Sequence, residues 1–254
     1  RRSLLHNATL LHDDVADDSP TRRGRPTVMS LLGGRASVLL GDYWLVKAID
    51  NVLVNKTSSS EVIKVFSRTL ADLAEGEILQ LQKADLGDTA ENDYYRIIFN
   101  KTASLFVTSA ESAAISVSAS AEKMKAVKSY AEYLGIAFQI RDDIFDYEEN
   151  PDTGKPVGLD LKEKKITLPL LGALKNASEE EAKDIRRKVC RIDEHPEWQK
   201  EIVEFVHRNG GLEYARKRLY EYVERAKLSL RPLGKSEDAD KLADIAEFTA
   251  DRKS

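Results

Sequence analysis

LLHNATLLHDDVADDSPTRRGRPT, residues 4–27, packs a helical apolar pattern, four aspartates and three arginines into one short stretch. Leu4, Ala8, Leu11 and Val15 recur at three- and four-residue spacing, the signature of one buried helix face. The spacing therefore predicts a helix whose end carries Asp13, Asp14, Asp17 and Asp18, broken by Ser19-Pro20 and by Gly24 with Pro26. Carboxylates at a helix C-terminus oppose the macrodipole. Helix stability alone does not favour them there, and a compensating cation removes the cost. Arg22, Arg23 and Arg25 follow within a few residues, and arginine is the side chain shaped for forked contacts to phosphate.

Outward from this stretch the chain stays helical. Gly33-Gly34 precedes ASVLLGDYWLVKAIDNVL, and Ser60 is a candidate N-cap for EVIKVFSRTLADLAEGEILQLQKA, with Phe66, Leu70, Leu73 and Leu81 as its stripe. Asp88 or Thr89 opens a helical stretch expected to run past Ser120. Another helix begins near Ser120 or Glu122 and carries through YAEYLGIAFQIRDDIFDY. ENPDTGKPVGLDLKEKK is the one long loop, and Gly210-Gly211 separates two later amphipathic helices. No alternating strand pattern is evident. The expectation is an all-α chain, one domain over residues 1–254, with helices longer than the ordinary mean.

Composition narrows the classes. The 254 residues are 42% hydrophobic and 32% charged, with formal net charge −4. A nucleic-acid binder needs a basic stripe, whereas here acids and bases interleave as on solvated helix faces. Cys190 stands alone, so there is no intramolecular disulfide, in keeping with a reducing, cytoplasmic setting. No apolar run approaches the roughly 20 residues of a membrane span. The chain opens at RRSLLHNATLL without Met and already in a helical pattern, and a natural N-terminal segment is expected to precede it.

QIRDDIFDYEEN repeats the first acidic arrangement. Asp142 and Asp146 are four apart, like Asp13 and Asp17, so each pair projects from one helix face. Asp143 and Asp14 flank them. Mg²⁺ prefers oxygen ligands, keeps several waters, and is held by one or two carboxylates together with substrate phosphates. Two such clusters suit a diphosphate clamped through bridging metal ions. Taken singly, an acid-rich helix end is a solvated face, Lys101 a snorkelling lysine, and Lys155 and Lys165 loop charges. It is their combination that points to diphosphate chemistry.

HDDVADDSPTRRG, NKTASLF, AFQIRDDIFD and GKPVGLDLKEKKITLP, in this order and spacing, resemble the trans-isoprenyl diphosphate synthases, the polyprenyl synthetases, and within them the long-chain, octaprenyl-type branch. The similarity covers essentially the whole chain. It implies a bundle of long antiparallel helices around a central cavity, a homodimer, and head-to-tail condensation of isopentenyl diphosphate with an allylic diphosphate. By position, Asp13, Asp14 and Asp17 match the first aspartate-rich motif and Asp142, Asp143 and Asp146 the second, both implied to bind Mg²⁺ that bridges to the allylic diphosphate. Arg22 matches an allylic-diphosphate contact. Arg23 and His6 match isopentenyl-diphosphate contacts. Lys101, Thr102, Gln139, Lys155 and Lys165 match further groups around the allylic diphosphate, and Asp160 an aspartate that orders metal-bound water.

Two departures stand out. The family commonly has Gly-Lys before ITLP, where this chain reads Lys164-Lys165, so the lysine assignment shifts between two positions. The upstream Gly-Lys-x-x-Arg-Pro motif is absent, and Arg1-Arg2 do not replace it, which implies missing N-terminal helices or a truncated non-catalytic relative. Thr9 and Ala8 occupy positions where short-chain members carry bulky aromatics, which implies an open tunnel and a long product, with Phe106 a candidate for the deeper floor. The run SAESAAISVSASA either lines that tunnel or packs helices closely. The rival readings are a class I terpene cyclase and a non-catalytic partner subunit of a synthase.

Overall fold

A computed structural model describes residues 4–22, 24–54, 59–148 and 157–252. Arg1, Arg2, Arg23 and Lys155 lie outside the described residues. The chain divides into two compact units, residues 1–66 and 67–254. Most of the described residues of both are helical, as the hydrophobic periodicity predicts. None of the described helices is long and apolar enough to cross a membrane.

In the first unit, α1 (Leu4–Ala16) packs against α3 (Gly34–Leu53), with the short α2 (Val28–Leu32) between them in sequence. Leu5 and Ala8 supply the buried face of α1, and the buried Ser37 hydroxyl donates to the Leu11 carbonyl at 2.8 Å. Helix α1 stops where the prolines and glycine require. Asp17 N–H still reaches the Asp13 carbonyl, Asp18 takes φ +46°, and a two-residue hairpin follows. Its strands are β1 (Thr21–Arg22) and β2 (Arg25–Pro26), with Thr21 opposite Pro26 and Arg22 opposite Arg25. Two-residue strands are too short to leave an alternating pattern, which is why none was expected. Thr27 then caps α2: its hydroxyl oxygen accepts from Ser30 N–H at 3.1 Å and its hydroxyl donates to the Ser19 carbonyl at 2.8 Å.

The second unit begins inside α4 (Ser59–Leu86) and continues through α5 (Glu91–Ile98), a π-helical turn (Phe99–Ala103), α6 (Ser104–Ser116) and α7 (Ala121–Phe145). After these come α8 (Leu159–Lys162), α9 (Leu168–Asn176), α10 (Glu179–Cys190), α11 (Trp198–Arg208), α12 (Gly211–Ser229) and α13 (Glu237–Asp251). Helix α7, 25 residues and hence about 37 Å long, is the axis. Ser120 caps it, accepting from Lys123 N–H at 3.3 Å. Tyr130, Leu134, Ala137, Ile140 and Ile144 form its buried stripe, and α6, α12 and α13 pack on it. Ile140 and Ile144 are wholly buried, each stabilising the unit by about 1.5–3 kcal/mol. Tyr130 fastens α13 by donating to the Leu242 carbonyl at 2.7 Å.

Three expectations are corrected. The stretch from Thr89 does not run past Ser120: α6 ends at Ser116, and Ser118 takes φ +51°. Ser60 lies inside the first turn of α4 rather than before it. On α4, Val65, Thr69 and Gly76 are buried and the predicted Phe66, Leu70 and Leu73 are half-buried, but Leu81 of the predicted stripe is exposed together with Ile78 and Leu86. The side of α4 that turns inward is chosen by how closely the next helices approach, and a bare glycine allows the closest approach.

Candidate active site

Both acidic motifs sit at helix C-termini, where their charge costs most. Asp13 and Asp14 lie in the last turn of α1, with Asp17 just beyond it. Asp14 is buried, and its Oδ1 accepts from Arg22 Nε at 2.7 Å, so the hairpin returns the first arginine to the first motif. Thr9 donates its hydroxyl to the His6 carbonyl at 2.9 Å, and Ala8 is 1% exposed. His12 Nε2 meets Asp42 Oδ1 at 3.0 Å.

In the second unit, a cavity of about 180 Å³ is lined by α4, the α5–π–α6 stretch, α7 and the α8–α9 segment. Lys101 and Thr102 reach it from the π turn, Gln139 and Asp143 from α7, and Asp160 and Lys165 from α8 and beyond. Two glycines hold the π turn in place. A Cβ at Gly76 would lie 2.7 Å from Asn100 Cβ, and one at Gly135 would lie 2.6 Å from the Ala103 Cα. Helices α4 and α7 thus close on the turn from two sides. A π turn widens the helix by one residue and recurs at functional sites. Here Lys101 and the adjacent Thr102 both line the cavity.

Lys101 pairs with Glu77, and its Nζ donates to Gln80 Oε1 at 3.1 Å. Thr102 donates to Gln139 Oε1 at 2.8 Å, and Gln139 Nε2 donates to Asp143 Oδ1 at 2.8 Å. Tyr94 donates its hydroxyl to Asp143 Oδ2 at 2.7 Å. Burial, and then the negative charge of Asp160, push the Asp143 carboxyl up to about 8 against those two hydrogen bonds. Two acids crowded on one wall in this way repel each other, and a divalent cation would relieve that repulsion. The donor set therefore fits Mg²⁺, although no cluster of three or more His, Cys, Asp or Glu side chains is arranged as a cage among the described residues. Mg²⁺ needs only one or two carboxylates when phosphates and waters complete its shell.

The three aspartates of the second motif are not equivalent. Asp142 pairs with Arg252, whose guanidinium also lies 4.1 Å from the centre of the Phe138 ring. Asp146 makes contacts that its spacing alone does not suggest. Its two oxygens accept the N–H groups of Leu159 and Asp160 at 2.9 and 3.1 Å, capping the N-terminus of α8 and so setting where Asp160 stands. Phe106 does not line the cavity. It lies beyond the π turn and packs on Phe138, ring centroids 5.6 Å apart. The run SAESAAISVSASA forms the end of α6 and the turn after it. Its Glu111 is buried between Arg68 (2.6 Å) and Lys128 (2.8 Å), a packing role.

Lys164 lines the cavity beside Lys165. It pairs with Asp193 at 2.9 Å, while Lys165 pairs with Glu163. Tyr94, Lys83 and Arg252 were not singled out by sequence. Tyr94 had a signal, standing two helical turns before Lys101. Arg252 had none, because its partner lies 110 residues away.

Residues 2–206 match the polyprenyl synthetase family model. The chain belongs to the polyprenyl synthetase family. Over 250 residues, covering 98% of this chain and 75% of the relative, it is 38% identical to the all-trans-nonaprenyl-diphosphate synthase (geranyl-diphosphate specific) of Rhodobacter capsulatus. It is 36% identical to the octaprenyl diphosphate synthase of Escherichia coli K12, covering 98% of this chain and 76% of that one. Among solved structures, it superimposes with a TM-score of 0.89 on the polyprenyl synthase of Caulobacter crescentus CB15 complexed with calcium and isoprenyl diphosphate. The identity there is 34%, with 99% of this chain and 76% of that chain covered. The polyprenyl synthetase fold is the all-α isoprenoid synthase fold that the helical periodicity and the motifs together predict.

Proposed function

We propose that this prenyltransferase adds isopentenyl diphosphate units to an allylic diphosphate, with Mg²⁺, to give a long-chain all-trans polyprenyl diphosphate. The observation that carries this reading is the cavity of the second unit. It joins Lys101, Lys165 and the crowded Asp143–Asp160 pair to a wall of Ile97, Ile98 and Ile166. Cations and carboxylates at one site suit a metal-bridged diphosphate, and the apolar wall suits a prenyl chain. The two long-chain relatives support the product class, and the Caulobacter structure, a complex with calcium and isoprenyl diphosphate, supports a divalent cation and a diphosphate as ligands.

When bound, Mg²⁺ supplies Lewis-acid neutralisation of the departing diphosphate. The protein's own groups do the rest. In the first unit Asp13, Asp14 and Asp17, and in the second Asp142, Asp143 and Asp146, are the carboxylates that would hold Mg²⁺, and Asp146 also keeps Asp160 in register. Lys101, Thr102, Gln139 and Lys165 of the second-unit cavity would carry the allylic diphosphate, with Arg22, Arg23, Lys155 and His6 as the further diphosphate contacts implied by the motifs. As the allylic C–O bond breaks, the positive side chains stabilise charge on the leaving oxygen. The alkene of isopentenyl diphosphate then attacks the allylic carbon, and a proton leaves to the released diphosphate. The apolar wall excludes water, which would otherwise quench the cation.

The same reading makes the enzyme a cytoplasmic homodimer. Leu39, Tyr43, Val46 and Leu53 fall on one face of α3, each more than half exposed, an apolar stripe suited to a second copy. Light scattering tests that directly. Incubation with radiolabelled isopentenyl diphosphate, farnesyl diphosphate and Mg²⁺, with products resolved by length, tests the activity. The expected result is a Mg²⁺-dependent ladder extending beyond C20. A ladder stopping at C15 or C20 refutes the long product, and no incorporation refutes the synthase.

A further inference from the structure

Asp143 is gripped from two helices, and only one of its two partners belongs to the motifs read from sequence. Gln139, one turn earlier on α7, holds Oδ1, and Tyr94 on α5 holds Oδ2. The carboxylate torsion of aspartate is broad and roughly two-fold, so a single hydrogen bond leaves the group free to swing. Two donors on two different oxygens fix its plane. A carboxylate offers about four lone-pair sites, and these two bonds use one on each oxygen. The other two remain for an incoming cation.

Tyr94 is itself hard to displace. It is 3% exposed, lines the cavity, and meets Tyr95 edge-on with ring centroids 5.3 Å apart. The grip also matters because of what stands nearby. Asp160 lines the same cavity, so the plane in which Asp143 is held decides whether the two carboxyl groups face one cation. Through Gln139 the same hydrogen-bonded chain reaches Thr102 on the π turn. Tyr94 therefore ends a relay, Thr102–Gln139–Asp143–Tyr94, that ties the Lys-Thr segment to the second acidic motif.

We propose that Tyr94 is a positioning residue for prenyl transfer, its hydroxyl holding the Asp143 carboxylate in the orientation that receives the cation and its diphosphate. This rests on the reading of Asp143 as a cation-holding group.

The test is Tyr94→Phe, which keeps the ring and removes only the hydroxyl. It is compared with Asp143→Asn and with the double variant. Calorimetric titration of Mg²⁺ in the presence of inorganic diphosphate reads binding without turnover, and thermal unfolding reads stability. Expected for Tyr94→Phe is a Mg²⁺ half-saturation raised about tenfold, the scale of one lost hydrogen bond to a charged group. A lower kcat should accompany it, with the KM for isopentenyl diphosphate unchanged. In the Asp143→Asn background, Tyr94→Phe should add nothing to the loss of Mg²⁺ binding. A lower unfolding temperature with wild-type Mg²⁺ binding would make Tyr94 merely structural and overturn the proposal. An equal loss in both backgrounds would overturn it too, because Tyr94 would then act other than through Asp143. If Asp143→Asn itself binds Mg²⁺ and diphosphate like wild type, the cation reading of Asp143 falls and takes this proposal with it. If Tyr94→Phe does not fold, 3-fluorotyrosine at position 94, which keeps the shape and changes the donor strength, must still move the Mg²⁺ half-saturation. An unmoved value there overturns the proposal.

Discussion

Gly135→Ala puts one methyl group where the structure has no room for it. The new Cβ would stand 2.6 Å from Ala103 Cα, 2.8 Å from Ala103 Cβ and 3.2 Å from Phe106 Cδ2. The nearest of these is backbone, so no rotamer change relieves the contact, and α7 must move away from the π turn. Overpacking of this kind costs about 1–3 kcal/mol, and a backbone clash belongs at the upper end. Alanine in mid-helix returns about 1 kcal/mol relative to glycine. The net is a loss of about 2 kcal/mol, or about 4–8 °C in unfolding temperature for a unit of this size. Activity should fall further than stability, because the displaced turn carries Lys101 and Thr102, and Thr102 loses its 2.8 Å bond to Gln139. Circular dichroism melting gives the first quantity, and initial rates of labelled isopentenyl diphosphate incorporation, well below the melting temperature, give the second. Wild-type melting together with a wild-type KM for the allylic substrate would refute the reasoning that α7 and the π turn position each other.

Asp146→Ala should free the N–H groups of Leu159 and Asp160, speeding their hydrogen exchange while raising the KM for the allylic diphosphate. Unchanged exchange at those two amides would return Asp146 to a purely ligating role. Asp93 accepts the Ala90 N–H at 3.0 Å, half of a capping box, and pairs with Lys83, and together these hold its carboxyl below the usual 3.8. A depressed carboxyl contributes stability above its unfolded value and loses it as pH falls through the folded one. Asp93→Asn should therefore cost about 1 kcal/mol at pH 7 and progressively less as the pH falls through the acid range, as read by melting across that range. Ala8→Phe should end the product ladder at a shorter length if Ala8 faces the growing chain. An unchanged ladder with a lowered melting temperature would place Ala8 in packed core instead.

What was legible in the sequence was local. Proline, glycine and serine mark helix ends by their own chemistry, so the end of α1 after Ala16, the capping of α7 by Ser120 and the break at Gly210, with φ +68°, follow from a few neighbouring residues. The inward side of α4 was only partly legible. Its apolar Ile78 and Leu81 face outward while Thr69 and Gly76 are buried along with Val65, and Gly76 is set against the π turn, where a Cβ would stand 2.7 Å from Asn100 Cβ. The π turn itself leaves no mark in composition. It adds one residue to a helix whose apolar pattern runs on without interruption, and only the two facing glycines, Gly76 before it and Gly135 after it, reveal the crowding.

The second acidic motif shows the same division at the scale of three side chains. Spacing puts Asp142, in the last turn of α7, and Asp146, the residue that follows the helix, one turn apart, with Asp143 turned about 100° from Asp142. From letters alone all three are equivalent carboxylates. Their partners make them different: Arg252, 110 residues on, for Asp142; Tyr94, 49 residues back, for Asp143; two backbone N–H groups of α8 for Asp146. No window of local sequence contains those partners. A motif thus predicts the chemistry a site can hold, through the kind and spacing of its ligands, but the tertiary fold assigns the work within it. Asp146 orders the wall, Asp143 is aimed into the cavity by Tyr94 and Gln139, and Asp142 keeps a cationic partner at the edge.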